Sequence, residues 1–237
     1  EVESSGPPSL LALAVGAVVE SIDRTSELDL DGIPQDLVQQ VFNELLSRSL
    51  LRVEHLPMFR NCLLTSADLS DYAGVRDEWL HSLCADGTLL TLDLARCQHV
   101  TDSGLAALRA TPKLRSLKLD GCIKLTNQGL QVMRNLPSLT ELSCNACDLL
   151  NGSALAGLAG TLSLQKLSLE MCSHVHGGMV HLQSLSSLRS LNLGWCSTVN
   201  NSDVAALAGL TGLEELHLSR TRVSDEGLAA LGELAGL

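Results

Sequence analysis

A pattern of leucines and cysteines, LxxLxLxxC, recurs along this chain at a nearly constant interval. The first leucine of each copy is Leu89, Leu114, Leu139, Leu164, Leu188 or Leu213, and a degenerate copy begins at Leu64. Successive starts are separated by 25, 25, 25, 25, 24 and 25 residues. Chance does not maintain a register over seven units, so the sequence predicts a repeat architecture in which each layer packs on its neighbours.

Each unit predicts a short strand followed by a helix. Because side chains alternate along a strand, the two leucines of LxL share one face and the residue between them points to the other. A segment of the Thr-Asp-x-Gly-Leu kind, as at residues 101–105, then predicts a helix start capped by Thr or Asp. Gly104, Gly129 and Gly227 would leave room there for close packing. Stacked units therefore predict a parallel sheet on one side and helices on the other.

The composition agrees with a core made of many small layers, since 45% of the residues are hydrophobic but only 2% are aromatic. Five of the eight cysteines stand at the ninth position of the pattern: Cys97, Cys122, Cys147, Cys172 and Cys196. A thiol facing inward there would pack as a small apolar group and donate weakly to the turn backbone. Because the cysteines are spread one per layer, we expect reduced thiols and a cytoplasmic or nuclear protein.

This spacing and choice of residues resemble the cysteine-containing leucine-rich repeats of F-box/LRR proteins, over residues 64–237. The resemblance implies an α/β fold, a leucine-rich-repeat solenoid shaped like a horseshoe. Parallel strands would lie on its concave side, helices on its convex side, and a helical cap at its N-terminal end. We expect a disordered lead-in at 1–8, a helical adaptor-binding or capping region at 9–62, and seven repeats of about 25 residues at 63–237.

The last repeat is expected to be open at its C-terminal side, because the next unit would begin where the sequence stops. Without a neighbouring layer, the apolar side chains of the last helix would lack a packing partner. We therefore expect partial exposure of Leu228, Leu231 and Leu234.

Two apolar helices are predicted ahead of the repeats, at residues 9–22 and from residue 33 onward. Pro34 suits the first turn of the second helix, where its missing N–H costs nothing. The spacing of the apolar residues in this helix predicts one shared face. That face consists of Leu37, Val41, Phe42 and Leu45.

Two short boxes of ubiquitin-ligase subunits resemble this region. Ser9-Leu10, Ala14 and Val18 resemble an elongin-C-binding box, and Ile33-Pro34, Leu37 and Val41 resemble the adjoining cullin-binding box of the von Hippel–Lindau type. The second helix also resembles the start of an F-box, which docks on Skp-type adaptors, although the later Trp of many F-boxes is absent from residues 51–62. The resemblance implies that Leu10, Ala14, Val18, Ile33, Pro34, Leu37 and Val41 contact elongin C or a Skp-type adaptor and a cullin. Alternatively, or in addition, the helices cap the first repeat.

The strand residues that alternate with the leucines, and the two that follow each strand, predict a face for a protein substrate. The predicted contacts are Asp93, Arg96, Lys118, Asp120, Glu170, Met171, Asn192, Trp195, His217 and Arg220. We expect Trp195 at the centre, because it is one of only five aromatic residues and stands outside the leucine register. A surface Trp makes a strong contact once a partner covers it. The alternative is that Trp195 packs only on adjoining layers.

The charge balance excludes two classes of partner. The formal net charge is −11, without any run of basic residues, so neither nucleic acid nor an anionic membrane surface is expected to bind. The longest apolar stretch, Leu10–Val19, is shorter than the roughly 20 residues that span a bilayer. Glu1 and Glu3 precede it, where a secretory signal carries basic residues.

Two groups of residues could suggest a metal or redox site, but the repeat pattern explains them better. Cys144 and Cys147 form a CxxC, yet both stand at repeat positions and no second pair completes a zinc site. His174, His176 and His181 lie close in sequence, but Gly177-Gly178 would interrupt a helix there, which predicts a solvated turn. No nucleophile elbow, phosphate-binding loop or HExxH is present. We therefore predict a protein without enzymatic activity, metal or cofactor.

The function predicted on these grounds is a substrate-recognition subunit of a cullin-RING ubiquitin ligase, acting in ubiquitin-dependent protein catabolism. The N-terminal helices would hold the adaptor, and the concave face would capture the protein substrate. The alternative is an interaction scaffold or immune-type recognition module without a link to a ligase.

Overall fold

The computed structural model describes residues 10–25, 30, 32–232 and 234–237. The predicted lead-in at residues 1–8 lies outside the described residues. Within these ranges, no helix combines the length and the apolar character needed to cross a membrane.

The described residues form one parallel sheet of seven short strands, arranged in the order in which they occur along the chain. The strands are β1 (Ser66–Asp68), β2 (Thr91–Asp93), β3 (Ser116–Lys118), β4 (Glu141–Ser143), β5 (Lys166–Ser168), β6 (Ser190–Asn192) and β7 (Glu215–His217). Leu92 lies opposite Leu117, and Leu167 lies opposite Leu191. Neighbouring strands are thus offset by one repeat, which confirms the register read from the leucine pattern.

The leucines of the register form the core between the sheet and the helical side. The central leucines of β2 to β6 are all at most 2% exposed. They are Leu92, Leu117, Leu142, Leu167 and Leu191. Burying a leucine side chain stabilises a fold by about 1.5–3 kcal/mol. Since each layer repeats this burial, the same leucine pattern stabilises the whole array.

The convex side carries short α-helices mixed with 3₁₀ helices, where the sequence predicted only helices in general. The α-helices of the repeats are α3 (Asp77–Leu83), α4 (Asp102–Leu105), α5 (Asn127–Leu130), α6 (Asn201–Ala205) and α7 (Asp225–Ala229). The 3₁₀ segments are Val53–Phe59, Ala106–Ala110, Gln131–Asn135, Gly152–Leu158 and Met179–Leu182. A 3₁₀ helix rises about 2.0 Å per residue against about 1.5 Å for an α-helix, so it crosses the layer with fewer residues.

The helix starts are linked from layer to layer by side-chain hydrogen bonds. Thr101 caps α4, because its hydroxyl accepts from the backbone N–H of Ser103 at 3.2 Å. The carboxylate of Asp77 in the preceding layer accepts from the backbone N–H and the hydroxyl of Thr101, at 2.8 and 2.6 Å. Asp102 bonds to Thr126 in the same way, at 2.9 and 2.6 Å. The predicted capping role of Thr is therefore confirmed.

The glycine of this segment is required by the contact with the preceding layer. A Cβ at Gly104 would overlap the carboxylate of Asp77, and a Cβ at Gly129 would overlap the carboxylate of Asp102. The prediction that these glycines allow close packing at the helix starts is confirmed.

All eight cysteines lie within the described residues, where they are buried and form no disulfide. The five at the ninth position each donate from Sγ to a carbonyl oxygen of the preceding layer, over 3.0–3.2 Å. The donor and acceptor pairs are Cys97 with Leu69, Cys122 with Leu94, Cys147 with Leu119, Cys172 with Cys144, and Cys196 with Leu169. The inward-facing thiol is thus both a core group and a link between layers, as the pattern predicted.

The N-terminal helices are α1 (Leu10–Thr25) and α2 (Gln35–Ser47). The buried face of α2 consists of Val38, Val41, Phe42 and Leu45. The predicted face is correct for the last three, but Leu37 is only half-buried and Val38 takes the inward position. The ring of Phe42 packs edge-on against Phe59, 5.1 Å between centroids, which joins α2 to the start of the repeats.

Gln39 of α2 closes the open edge of β1. Its Oε1 accepts from the backbone N–H groups of Thr65 and Ser66, at 3.1 and 3.2 Å. Within the array, the carbonyl oxygen of Leu90 accepts from two consecutive N–H groups of the next layer in the same way. The Gln39 side chain therefore takes the place of the backbone carbonyl oxygen that a preceding repeat would supply. The N-terminal helices form a cap on the sheet.

The C-terminal layer is more open than the others. Leu216 and Leu218 of the last unit are half-buried, and Leu228 is 49% exposed. The predicted exposure of Leu231 and Leu234 is wrong, since these side chains are 8% and 4% exposed. Both follow α7 and turn back onto the core of the last layer.

Candidate protein-binding face

The side of the sheet that faces away from the helices carries the residues between and after the register leucines, and we call it the concave face. Six of the predicted contacts are exposed on it: Arg96, Lys118, Met171, Trp195, His217 and Arg220. The other four are half-buried: Asp93, Asp120, Glu170 and Asn192. The structure thus brings all ten predicted residues together on one surface, while their role in binding stays a prediction.

One rim of the concave face is a row of left-handed turns. The residue before each repeat cysteine has a φ near +60°, including Arg96, Met171 and Trp195, and so does Arg220, which precedes Thr221 in the last unit. This conformation is unfavourable for residues other than glycine, by roughly 1–2 kcal/mol. It is held by the next layer, because the N–H of Met171 donates to Gly194 over 2.9 Å and the N–H of Trp195 donates to Ser219 over 2.7 Å. The turns therefore fix the direction of the rim side chains.

Met171 and Trp195 form an apolar patch on this rim. They occupy the same position in neighbouring layers, and each is 52% exposed. The guanidinium of Arg220, one layer further, lies over the Trp195 ring with Cζ 5.3 Å from the ring centroid. Trp195 thus has one packing neighbour in an adjoining layer and also presents half of its surface to solvent.

The floor of the concave face is a hydrogen-bonded ladder that the sequence analysis did not single out. Asp120 accepts from the hydroxyl of Ser143 at 2.5 Å and from the N–H of Asn145 at 2.7 Å. Asn145 accepts in turn from the hydroxyl of Ser168 at 2.6 Å. The repeat register would have identified the three residues that were not predicted. Ser143 in β4 and Ser168 in β5 are equivalent to Asn192, and Asn145 after β4 is equivalent to Asp120. The ladder gives the face a rigid polar floor.

A shallow cavity of about 300 Å³ lies over this floor. It is bordered by side chains of β3 to β7, among them Lys118, Ser143, Ser168, Asn192 and His217. Its polar lining offers donors and acceptors to a bound chain, beside the apolar patch of the rim.

Three of the cations on the concave face are already paired with carboxylates of the preceding layer. Arg96 binds Asp71 with two nitrogens, Lys118 Nζ lies 2.8 Å from Asp93, and Lys166 Nζ lies 3.1 Å from Glu141. The Arg96 guanidinium lowers the pKa of Asp71, and the Asp93 carboxylate raises the pKa of Lys118. All these groups are exposed to some degree, so the pairs orient side chains more than they stabilise the fold.

The residues predicted to bind an adaptor do not share one surface. Ala14 and Pro34 are exposed, whereas Val18, Ile33 and Leu37 are half-buried against the core. The side chain of Leu10 lies outside the described residues. Val41 is 0% exposed, so its predicted contact with an adaptor is not available in this structure. Its burial follows from its position on the inward face of α2.

The exposed apolar surface of this region lies on the outer side of α1. Leu11 and Leu13 are 49% and 55% exposed, and Ala14 and Ala17 are exposed beside them. A cavity of about 780 Å³ between α1 and α2 adjoins this side, and Leu13 and Ala17 contribute to its wall. The sequence boxes include Ala14 of this side but neither Leu13 nor Ala17, and a role of this helix in adaptor binding stays a prediction.

The histidine and cysteine clusters serve the repeat architecture. His174 and His176 are exposed on a turn in which Gly177 adopts a positive φ, as the sequence predicted, whereas His181 is half-buried in the 3₁₀ segment Met179–Leu182. Within the described ranges, no group of three or more His, Cys, Asp or Glu residues is placed to hold a metal ion.

A family model described as a leucine-rich repeat matches residues 88–108, 184–208 and 210–232. These matches coincide with units of the parallel sheet and its buried leucines. The fold is a leucine-rich-repeat solenoid. No curated protein sequence matches the chain. Leucine-rich-repeat proteins are typically non-enzymatic scaffolds for protein interaction, and the extended concave face of this chain agrees with that role.

Among solved structures, an internalin resembles the chain in fold. Internalin C2 from Listeria monocytogenes has a TM-score of 0.55 at 17% identity, covering 100% of this chain and 97% of that chain. Internalin F from the same organism has a TM-score of 0.48 at 20% identity, covering 83% and 68%. The yeast Rad7 and Elc1 complex has a TM-score of 0.39 at 16% identity, covering 96% and 91%. At these identities the likeness to internalin C2 concerns the fold alone.

Proposed function

We propose that this leucine-rich-repeat scaffold is the substrate-recognition subunit of a cullin-RING ubiquitin ligase, which captures a protein on its concave face. The observation that carries the proposal is the apolar patch of Met171 and Trp195, held half-exposed on left-handed turns above a polar floor. A Trp fixed in this way loses little side-chain entropy on binding, and such residues dominate the energy of protein interfaces.

The link to a ligase is supported by the outer side of α1. Leu11, Leu13, Ala14 and Ala17 leave an apolar helix surface uncovered, next to the cap that Gln39 attaches to β1. This surface belongs to the segment that resembles an elongin-binding box, and an adaptor such as elongin C or a Skp-type protein would cover it. Because the cap is joined to the sheet, a bound adaptor would have a fixed orientation relative to the concave face.

In this role the chain performs no chemistry of its own. It raises the effective concentration of the substrate near the ligase, since binding both proteins at once makes their encounter intramolecular. The scaffold without a ligase link uses the same concave face but leaves the outer side of α1 without an adaptor.

Capture on the concave face is tested by changing Trp195→Ala together with Met171→Ser. Proteins retained from cell extract by the unaltered chain are identified, and their binding to the purified variant is measured. We expect binding to weaken at least roughly tenfold, because the patch supplies the central contacts. The melting temperature should fall by no more than a few degrees, since both side chains are half-exposed. Unchanged binding would place the contact elsewhere.

A matched control for this variant is Leu149→Ala with Leu162→Ser. These side chains are 53% and 57% exposed but lie outside the concave face, so they remove comparable apolar surface. The control should bind as the unaltered chain does. An equal loss in both variants would mean that general surface hydrophobicity, and not the patch, retains the partner.

The ligase link is tested by Leu13→Asp with Ala17→Asp, and Leu162→Asp is the control at similar exposure. Purified elongin C and a Skp-type adaptor are each mixed with the unaltered chain and with the variants. We expect one adaptor to bind the unaltered chain and the control but not the double variant, with circular dichroism unchanged. If neither adaptor binds the unaltered chain, the ligase role is wrong and the scaffold without a ligase link stands.

A further inference from the structure

The concave face contains one cation that has no counter-ion. Among the described residues, Arg96, Lys118 and Lys166 each lie within hydrogen-bond or ion-pair distance of a carboxylate, whereas Arg220 has no carboxylate within 4.0 Å. Arg220 is exposed, and its backbone has the left-handed conformation of the rim, with φ at +60°. The chain as a whole is acidic, with a net charge of −11, so an unpaired arginine on the proposed binding face is a local exception.

Arg220 is also oriented by its contact with Trp195. Its Cζ lies 5.3 Å from the ring centroid, an arrangement in which the ring attracts the guanidinium through its face. A guanidinium over an aromatic ring keeps its N–H edges in the guanidinium plane, and these edges fit a carboxylate with two parallel hydrogen bonds. The contact with the ring therefore leaves the N–H groups of Arg220 available to bind a carboxylate.

The apolar patch of Met171 and Trp195 lies directly beside the Arg220 guanidinium. Met171, Trp195 and Arg220 hold the same position in three successive layers, which lie about 4.8 Å apart in a sheet. A partner segment along the rim would therefore meet two apolar side chains and one cation within about 10 Å. That distance corresponds to three residues of an extended chain.

The acidic residues nearest to this rim are directed elsewhere. Glu170 accepts a hydrogen bond from Asn192 Nδ2 at 3.2 Å, along the floor of the face. Glu215 stands at the beginning of β7, at the other end of the strand from the rim. Neither forms an ion pair with Arg220, and Glu214, which precedes Glu215, lies 3.7 Å from Arg189.

We propose that Arg220, Trp195 and Met171 together bind an extended partner segment with an acidic residue and an aliphatic residue two positions apart, because such side chains share one face of an extended chain. A carboxylate of the partner pairs with the Arg220 guanidinium, and the aliphatic side chain on the same face covers the Trp195 ring and Met171. This inference rests on the proposed capture of a protein at the concave face and specifies the chemistry of the captured segment.

The test uses two blocked peptides, Leu-Ser-Glu-Ser-Leu and Leu-Ser-Lys-Ser-Leu, in which the charged residue and the leucines share one face of the extended chain. Both are titrated into the purified chain at low salt up to about 1 mM. The readout is tryptophan fluorescence, because Trp195 is half-exposed whereas the other tryptophan, Trp79, is 4% exposed. We expect the acidic peptide to change the emission in a saturable way and the basic peptide to leave it unchanged. Preference for the basic peptide, or no saturable change with either peptide, overturns the proposal.

Substitutions at Arg220 define the contact. Arg220→Gln removes the charge and should weaken binding of the acidic peptide at least roughly tenfold. Arg220→Lys keeps the charge but cannot make two parallel hydrogen bonds to one carboxylate, so it should also weaken binding. The control is Arg222→Gln, an exposed arginine of the same layer that lies outside the rim position, and it should bind within about twofold of the unaltered chain. Equal binding by Arg220→Gln and the unaltered chain overturns the proposal.

The outcome is distinguishable from a failure of the proposed function. If the acidic peptide does not bind but Trp195→Ala with Met171→Ser still abolishes protein capture, the concave face is the binding site and its acidic specificity is wrong. If that double variant captures proteins normally, the concave-face function itself is wrong.

Discussion

The Sγ atom of Cys172 donates a 3.0 Å hydrogen bond to the carbonyl oxygen of Cys144 in the preceding layer. Cys144 replaces a register leucine directly after β4, and its own side chain is fully buried. Its CxxC partner, Cys147, donates to the carbonyl oxygen of Leu119 at 3.2 Å. The two sulfurs of the CxxC therefore contribute to the packing of different positions in the repeat.

The buried thiols should react slowly in the folded protein. Burial raises the pKa of Cys97 and Cys172 to about 12, from an ordinary value of 9.0, so the reactive thiolate is scarce at pH 8. Titration with a thiol reagent after unfolding without reductant should count eight groups. In the folded protein, mass spectrometry should find Cys62 modified first, because at 9% exposure it is the least buried. A count of four or fewer after unfolding would indicate disulfides.

Stability should decrease steeply in alkaline solution. Burial raises the pKa of Cys84 and Cys97 to about 12 and that of Cys196 to about 11, while an unfolded thiol ionises near 9.0. The neutral thiols therefore contribute stability that is present below pH 9 and is lost as the pH rises from 9 toward 11 or 12. Each such thiol changes the free energy of unfolding by up to about 1.4 kcal/mol per pH unit in this range.

Urea unfolding at pH 8 and pH 10.5 measures this effect. Cys97→Ser removes one titrating thiol but keeps a donor for the carbonyl oxygen of Leu69. The variant should lose less stability between the two pH values than the unaltered chain, by roughly 1–2 kcal/mol. Identical losses in both proteins would show that Cys97 does not ionise with unfolding.

The contact at the helix starts predicts a difference between two glycines. Gly129→Ala would force a Cβ onto the Asp102 carboxylate, which already accepts two hydrogen bonds from Thr126, so we expect a loss of about 1–3 kcal/mol. Gly209→Ala is the control, because an added Cβ there meets no atom within 4 Å. Thermal unfolding should show Gly209→Ala unchanged or slightly stabilised. Equal destabilisation by both substitutions would contradict the layer-to-layer contact.

The cap on β1 predicts a specific role for Gln39. Gln39→Met keeps the size of the side chain but removes the acceptor for Thr65 and Ser66, and we expect a loss of about 1–3 kcal/mol. Gln40→Met, at an exposed neighbouring position, should change stability by less than about 0.5 kcal/mol. Amide exchange at Ser66 should also accelerate in Gln39→Met. Protection of this amide equal to that in the unaltered chain would show that Gln39 does not close the sheet edge.

The sequence by itself determined the repeated part of the fold. The pairing of Leu92 with Leu117, the cap at Thr101 and the inward thiol of Cys97 all follow from its register. Each depends on a neighbour one repeat away, and a neighbour at a constant separation is readable from periodicity. The positions of the strand residues on the concave face, such as Lys118 and Asn192, follow from the same alternation along the strands.

Only the tertiary structure decided the features that depend on contacts between residues or elements that do not recur in the repeat. The rotation of α2 on the first layer places Val38 inward instead of Leu37 and brings Gln39 to the edge of β1. The periodicity of one helix could not distinguish this rotation from the predicted one. Arg220 lies over Trp195 because adjacent left-handed turns align their side chains, and it remains unpaired because the preceding layer offers it a ring and no carboxylate. Such contacts depend on side-chain directions at one site, and no repeat in the sequence encodes them.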